Sequence, residues 1–362
     1  MERIDYVSRL RMPGDDDHTA IRRCMDAAAE GTHTVVLDEK EYRITRAVCI
    51  PSDTTVVLDG CHVIQQDGTV DNAFRGANLV CDPEDPLGMP LSCAPLHNVR
   101  LLGKNGACVS GPAVNRSGYH PVLQAEQLMV GDFWGWRTFT VSLSNCTDFE
   151  VAGIRFDRSR CWTLSFDRCC DGHIHDLDIH TAVKNGDGVD LRAGCRRITV
   201  ENITGVTSDD TVACTALYGT KAVTYPLGNY LYPLEPSQCL ERVTEEDTSI
   251  SHVTVRNIVS GGNCHGVICL AADGSRVHHM TVEHVQECGS GCWREATVKI
   301  YTGYGGQAAQ GDIHDITIRH VESTYADYGV YCNTPVVGGY IEGVTATHTP
   351  VQLDFPEGFT VK

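Results

Sequence analysis

The segments VTVRN (253–257), MTVEH (280–284) and ITIRH (316–320) share one pattern. An apolar residue is followed by a polar one, a second apolar residue, a charged residue, and then Asn or His. The pattern returns more loosely in VRLLG from 99, FEVAG from 149, HIHDL from 173, ITVEN from 198 and IEGVT from 341. Successive starts lie 50, 24, 25, 55, 27, 36 and 25 residues apart. Single steps cluster near 25. The step of 50 is read as two coils, and those of 55 and 36 as a coil with an insertion or as two coils. A fixed period between about 20 and 50 residues is the mark of a solenoid.

Within each run, alternation puts Val or Ile inward and Thr, Glu, Arg or His outward. Gly, Asn and Asp punctuate the runs, as expected of short strands. The regular leucines of leucine-rich repeats are missing, and a propeller blade needs about 40 residues. The sequence therefore predicts an all-β chain: a single-stranded, right-handed parallel β-helix with about 25 residues per coil, forming one domain over 1–362.

A solenoid must cover its open end. The stretch DDDHTAIRRCMDAAAEG has Asp16 or Asp17 to cap a helix, apolar positions at Ile21, Cys24, Met25 and Ala28, and Gly31 to end it. Residues 15–31 are thus expected to form a capping helix. Residues 217–247, rich in Tyr and Pro, interrupt the repeat and are expected to form an inserted loop near a site. Tyr218, Tyr225, Tyr230 and Tyr232 offer a sugar-binding wall, and the segment 129–140, with Trp134, Trp136 and Arg137, offers a second.

The chain carries 29 Lys and Arg against 47 Asp and Glu, a net charge of −18. This balance argues against nucleic acid and anionic membranes as partners. No apolar run is long enough for a membrane helix. The opening MERIDYVSRL lacks an apolar leader segment, so a cytoplasmic location is expected. The 18 cysteines are scattered beside strand-like runs, which fits buried free thiols in a reducing compartment. Cys288 and Cys292 have no second pair to complete a zinc site, and no metal or cofactor is expected.

Four polar clusters mark successive coils: Asn185-Gly186-Asp187-Gly188, Ser208-Asp209-Asp210, Cys264-His265-Gly266, and Thr297-Val298-Lys299 with Tyr301. Asp187 and Asp209 are 22 positions apart, about one coil, so they are expected on one face. Neighbouring coils stack about 4.8 Å apart. Carboxylates gathered this closely repel, and at least one pKa rises. A protonated acid beside ionised ones is what glycoside hydrolysis requires. Lone histidines such as His173, His175, His180, His278 and His279 read as surface or ladder residues.

The segments NGDGVDL, SDDTVACTA, NCHGVICLAADGS and TVKIYTGYGG resemble, in order, the motifs of glycoside hydrolase family 28, the polygalacturonase family. The preceding FDRSRCWTLSFDRCCDGHIHDLDI and the DDDHTAIRRCMDAA opening are also similar to that family. The resemblance spans nearly the whole chain and is most specific between about 140 and 310. It implies an inverting hydrolase acting on oligosaccharides. Asp209 would be the general acid, and Asp187 with Asp210 would activate water. His265 would tune the site, Asn185 would position Asp187, and Lys299 would hold substrate. Three residues depart from the family: Gly186 replaces Thr, Cys264 replaces Gly, and Thr297 replaces the Arg that grips a uronate. Arg294 or Arg137 would then supply the missing guanidinium from another direction, or else the substrate is a different sugar. The long loop implies exo action on short oligosaccharides. Two alternatives stand beside this: a Ca²⁺-dependent lyase or uronate epimerase on the same architecture, and a non-catalytic carbohydrate-binding β-helix. Nothing in the sequence sets the oligomeric state.

Overall fold

The computed structural model describes residues 3–27, 31–69, 71–82, 84, 90–114, 118–119, 129–130, 138–217, 236, 248–289, 294–304, 306–356 and 358–362. The chain winds as a parallel β-helix. Each coil lays one long strand into a sixteen-stranded sheet and one short strand into a ten-stranded sheet. The long strands Cys170–His180, Arg196–Thr207, Ile250–Gly262, Val277–Glu287 and Ile313–Ser323 lie side by side. So do the short strands Leu164–Asp167, Val189–Arg192, Val212–Ala216, Cys264–Ala271 and Arg294–Thr302.

The inward positions stack into columns. Val35, Val56, Leu101, Val151, Ile174, Val200, Val255, Val282, Ile318 and Ile341 follow one another in register across the long sheet, and all are buried. Burying each such side chain stabilises the fold by roughly 1.5–3 kcal/mol. One core cluster runs from Val7 to Ile341. At Gly172 the Phe149 ring fills the space a Cβ would need. Phe149 pairs with Gly172 in the ladder and stacks on Phe166 across the core, with ring centroids 5.0 Å apart.

The Asn or His that closes each repeat has a backbone reason. Gly153, Asp176, Asn202, Asn257, His284, His320 and Gly343 occupy equivalent places in successive coils, each at a φ between +54° and +71°. This left-handed conformation bends the long strand, and Gly, Asn, Asp and His are the residues that enter it most readily. The side chains then form ladders: Asn257 donates to Asn202 at 3.0 Å and Asn202 to Asp176 at 2.9 Å. The His284 and His320 rings stack at 4.7 Å. A second left-handed column, at the start of the long strands, runs through Asp53, Asn98, Asp148, Asp171, Arg197, His252, His279 and Asp315.

The steps of 50, 55 and 36 residues are each one coil. Val99 pairs directly with Phe149, Ile198 with Val253, and Met280 with Ile316. The reading of 50 as two coils is therefore corrected: the extra length lies between strands, where a loop lengthens without disturbing the register on either side.

The capping helix spans Asp17–Asp26, shorter than 15–31, with the Asp16 side chain accepting from the Thr19 amide at 2.7 Å. Ile21, Cys24 and Met25 close the end of the core, while Ala28 lies outside the described residues. The strand Arg3–Tyr6 precedes the helix and forms the outermost rung of the long sheet. Every described cysteine is a free thiol. Burial pushes Cys61, Cys93 and Cys146 up to about 12, which makes them inert. Among the described residues no helix is long and apolar enough to cross a membrane.

Candidate active site

The short sheet carries the acids at the entrance to its strands. The Thr163 amide donates to the Asp187 carbonyl at 2.9 Å, Gly188 to Asp210 at 2.9 Å, and Thr211 to His265 at 3.0 Å. These bonds place Asp187, Asp210 and His265 level with one another on consecutive coils. The residue in register with Asp187 is thus Asp210, not Asp209. Asp209 sits one position earlier, level with Gly186 and Cys264, and comes to the cluster because the turn brings both columns together. Carboxylate oxygens of Asp209 and Asp210 and the Cys264 sulfur lie within 4.8 Å of one another.

Asp210 and His265 are bound tightly, Oδ1 to Nδ1 at 2.6 Å. On its far side His265 Nε2 meets Glu295 Oε2 at 3.1 Å, and Glu295 also accepts from Lys299 Nζ at 2.6 Å. Asp210, His265, Glu295 and Lys299 therefore form one chain of alternating charge over three coils. Glu295 was not singled out in the sequence. It enters because the ladder slips there: Cys264 pairs with Arg294 and His265 with Ala296, which leaves Glu295 bulged toward the histidine.

Two of the three aspartates are held toward their protonated form. Burial pushes the Asp187 carboxyl well above the usual carboxylate range, and the nearby Asp190, Asp209 and Asp210 add to it. Burial and Asp210 also raise Asp209, against the Cys264 thiol, Lys184 and His265. Burial alone would lower His265, but Asp210 and Glu295 hold its proton and the balance is upward. The hydrogen bond from His265, aided by Lys299 and opposed by burial, pulls Glu295 down to about 2.

The family departures have local causes. A side chain at 186 would meet Ser208 Oγ and Thr181, so Gly186 leaves room for those hydroxyls. Cys264 adopts φ +58°, a conformation in which Gly costs nothing and Cys is strained. Thr297 is fully buried and donates to Ser323 at 2.8 Å. Arg294, 2% exposed, donates to Ser260 at 2.9 Å beneath the site, so its guanidinium is not presented at the surface as the substitute-Arg reading requires. Arg137, Trp134, Trp136, Tyr218, Tyr225, Tyr230 and Tyr232 lie outside the described residues, as does nearly all of 217–247. Asn185 holds a left-handed turn at φ +53° just before Asp187. Lys299 Nζ lies 4.2 Å from the Tyr301 ring centre, and Tyr301 packs on a small apolar patch of Ala213, Leu217, Ile268, Leu270 and Ala272. Asp190 and Arg192 also belong to this face. Their alternation with the core residues Val189 and Leu191 was the sequence signal that could have found them. A separate cavity of about 400 Å³, walled by His18, Ile21, Met25, Arg46 and Arg75, lies at the N-terminal cap rather than at the acids.

No family model matches the chain, and no curated protein matches it in sequence. Solved structures do match in shape. An exopolygalacturonase from Thermotoga maritima is 14% identical with a TM-score of 0.57, covering 99% of this chain and 90% of its own. An iota-carrageenase of family GH82 from A. fortis is 10% identical with a TM-score of 0.54, covering 100% and 90%. PfbA, a surface adhesin of Streptococcus pneumoniae, is 11% identical with a TM-score of 0.47, covering 99% and 90%. The fold is a pectin-lyase-like parallel β-helix. At these identities the likeness establishes the fold alone, and the chemistry must be argued from the site.

Proposed function

We propose that this chain is an inverting glycoside hydrolase acting, in the exo mode, on oligosaccharides of the plant-cell-wall type. The observation that carries the reading is the meeting of three carboxylates from two neighbouring coils, two of them raised by burial and mutual repulsion. Asp209 gives its proton to the glycosidic oxygen as the bond to the anomeric carbon breaks. Water, oriented by Asp187, adds to the opposite face of that carbon and yields its proton to the Asp210 carboxylate, so the anomeric configuration inverts. The proton returns to Asp209 through solvent before the next turnover. His265 and Glu295 hold Asp210 in place as positioning residues. Tyr301 presents a face for a sugar ring, with the buried Lys299 ammonium 4.2 Å from its ring centre.

The substrate reading departs from a polygalacturonase. Thr297 is buried, and the Lys299 charge is already met by Glu295. Both features favour a sugar without a carboxylate at that subsite, because a uronate gains most from an uncompensated, bidentate cation.

The test is a panel of defined neutral and uronate oligosaccharides, read by product mass and by anomeric NMR, with the parent and with Asp209→Asn. Products heavier by one water, of inverted configuration and made only by the parent, are expected. An ultraviolet-absorbing product with no gain of water identifies a lyase. Saturable sugar binding without any product identifies a binding module. Either result overturns the proposal.

A further inference from the structure

The outer face of the long sheet carries a histidine cluster that the proposed hydrolysis does not use. His252, His278, His279, His314 and Asp315 come from the starts of three successive strands, Ile250–Gly262, Val277–Glu287 and Ile313–Ser323. Ser251, His278 and His314 share one register column, while His252, His279 and Asp315 share the left-handed column beside it. We propose that these five side chains form a surface site for a late first-row transition-metal ion, with His279 as the shared central ligand.

Geometry carries the inference. Ligand atoms of His252, His278 and His279 all lie within 4.8 Å of one another, and so do those of His279, His314 and Asp315. Four donors around one zinc ion stand about 3.4 Å apart when each bond is about 2.1 Å. The rings are already arrayed for it. His252 stacks on His279 at 4.6 Å, and His278 on His314 at 4.6 Å. His278 Nδ1 lies 2.7 Å from His279 Nδ1, so two ring nitrogens face each other. His279 Nε2 lies 3.6 Å from Asp315 Oδ2.

A second histidine group on the same sheet shows the contrast. His175 is held between Glu150 at 3.1 Å and Asp176 at 2.7 Å, and His173 meets Glu201 at 2.7 Å. There the imidazoles have carboxylates as partners. In the 252–315 group imidazole faces imidazole at His278 and His279, and Asp315 reaches both His314 Nδ1, at 2.8 Å, and His279 Nε2. Several imidazoles and one carboxylate suit zinc, copper or nickel rather than calcium or magnesium. The left-handed backbone at His279 lets the consecutive His278 and His279 share the outer face, which an ordinary strand pleat would not do. A bound ion would tie three coils together across their ladder.

The test uses the full chain without an affinity tag, stripped with EDTA, dialysed and titrated with zinc chloride by calorimetry. One saturable equivalent is expected. His279→Asn and His252→Asn each weaken it at least tenfold, because Asn keeps the left-handed backbone and removes the ring. Circular dichroism and the melting midpoint in EDTA show that each variant is folded. A second measurement needs no variant: zinc shifts the imidazole NMR signals of His252, His278, His279 and His314 and leaves those of His97 and His348 in place. Undiminished binding by the double variant His252→Asn/His279→Asn overturns the proposal, since the ion then sits elsewhere. Absence of saturable binding up to millimolar zinc overturns it as well.

Discussion

The outer face of the long sheet and the entrance of the short sheet are built from the same coils but treat charge in opposite ways. On the long sheet, polar residues repeat from coil to coil and satisfy one another. Glu201 meets Arg256 at 2.6 Å, Asp171 meets Arg197 at 2.7 Å, and Asn257 continues the ladder to Asn202. At the short sheet, repetition sets acid beside acid, with Asp187 level with Asp210 and Asp209 and Asp190 close by. Repeated complementary charges stabilise a solenoid, whereas repeated like charges in a buried place store reactivity at a cost in stability.

The largest expected effect falls on the acids. Asp209→Asn should lower turnover of a natural oligosaccharide by about 10³-fold, within the range for loss of a general acid. An aryl glycoside with a good leaving group needs no such proton, so its turnover should survive in Asp209→Asn and fail in Asp187→Asn. The opposite result would exchange the two roles.

Asp187→Asn should also raise the melting midpoint at pH 7 by a few degrees while removing activity. The fold raises the Asp187 carboxyl, so its contribution to stability is complete in acid and is lost as pH rises through the folded value. A neutral amide escapes that loss. The stability gap between variant and parent should therefore narrow as pH falls. An unchanged gap would break the contrast between the two faces.

In the bend of the long strands, Asn257→Ala should cost about 1–2 kcal/mol, the penalty of a left-handed backbone for a residue with a Cβ. Asn257→Gly should cost less. Urea midpoints measure both, and equal losses would assign the ladder to its side-chain hydrogen bonds instead of its backbone.

Glu295 links the two behaviours, being paired yet inside the site. Its folded value of about 2 lies below the ordinary 4.5. Its stabilisation is thus present above pH 4.5 and lost as pH falls toward 2. The stability advantage of the parent over Glu295→Gln should vanish across that window in denaturation curves. Smallest of all, Arg197→Ala on the exposed long face should cost about 0.5 kcal/mol or less, and less still in high salt.

The coil, its inward valines and isoleucines, and the order of the acids were legible in the sequence because each rests on local rules. Alternation assigns a face within a strand, and Asn257 or His320 marks a bend through its own φ. The helix cap at Asp16 is equally local. What the sequence left open depends on contacts between coils. That Val99 meets Phe149 across one coil, and that Asp187 faces Asp210, follows from which strands stack across loops of unequal length, and those loops leave no periodic trace. The burial of Thr297 and Arg294 and the bulge that turns Glu295 toward His265 depend on twist and slip at the strand entrance. Side-chain period by itself determined which residues share a face; only the tertiary structure decided which of them meet, because that distance is fixed by the stacking of coils far apart in the chain.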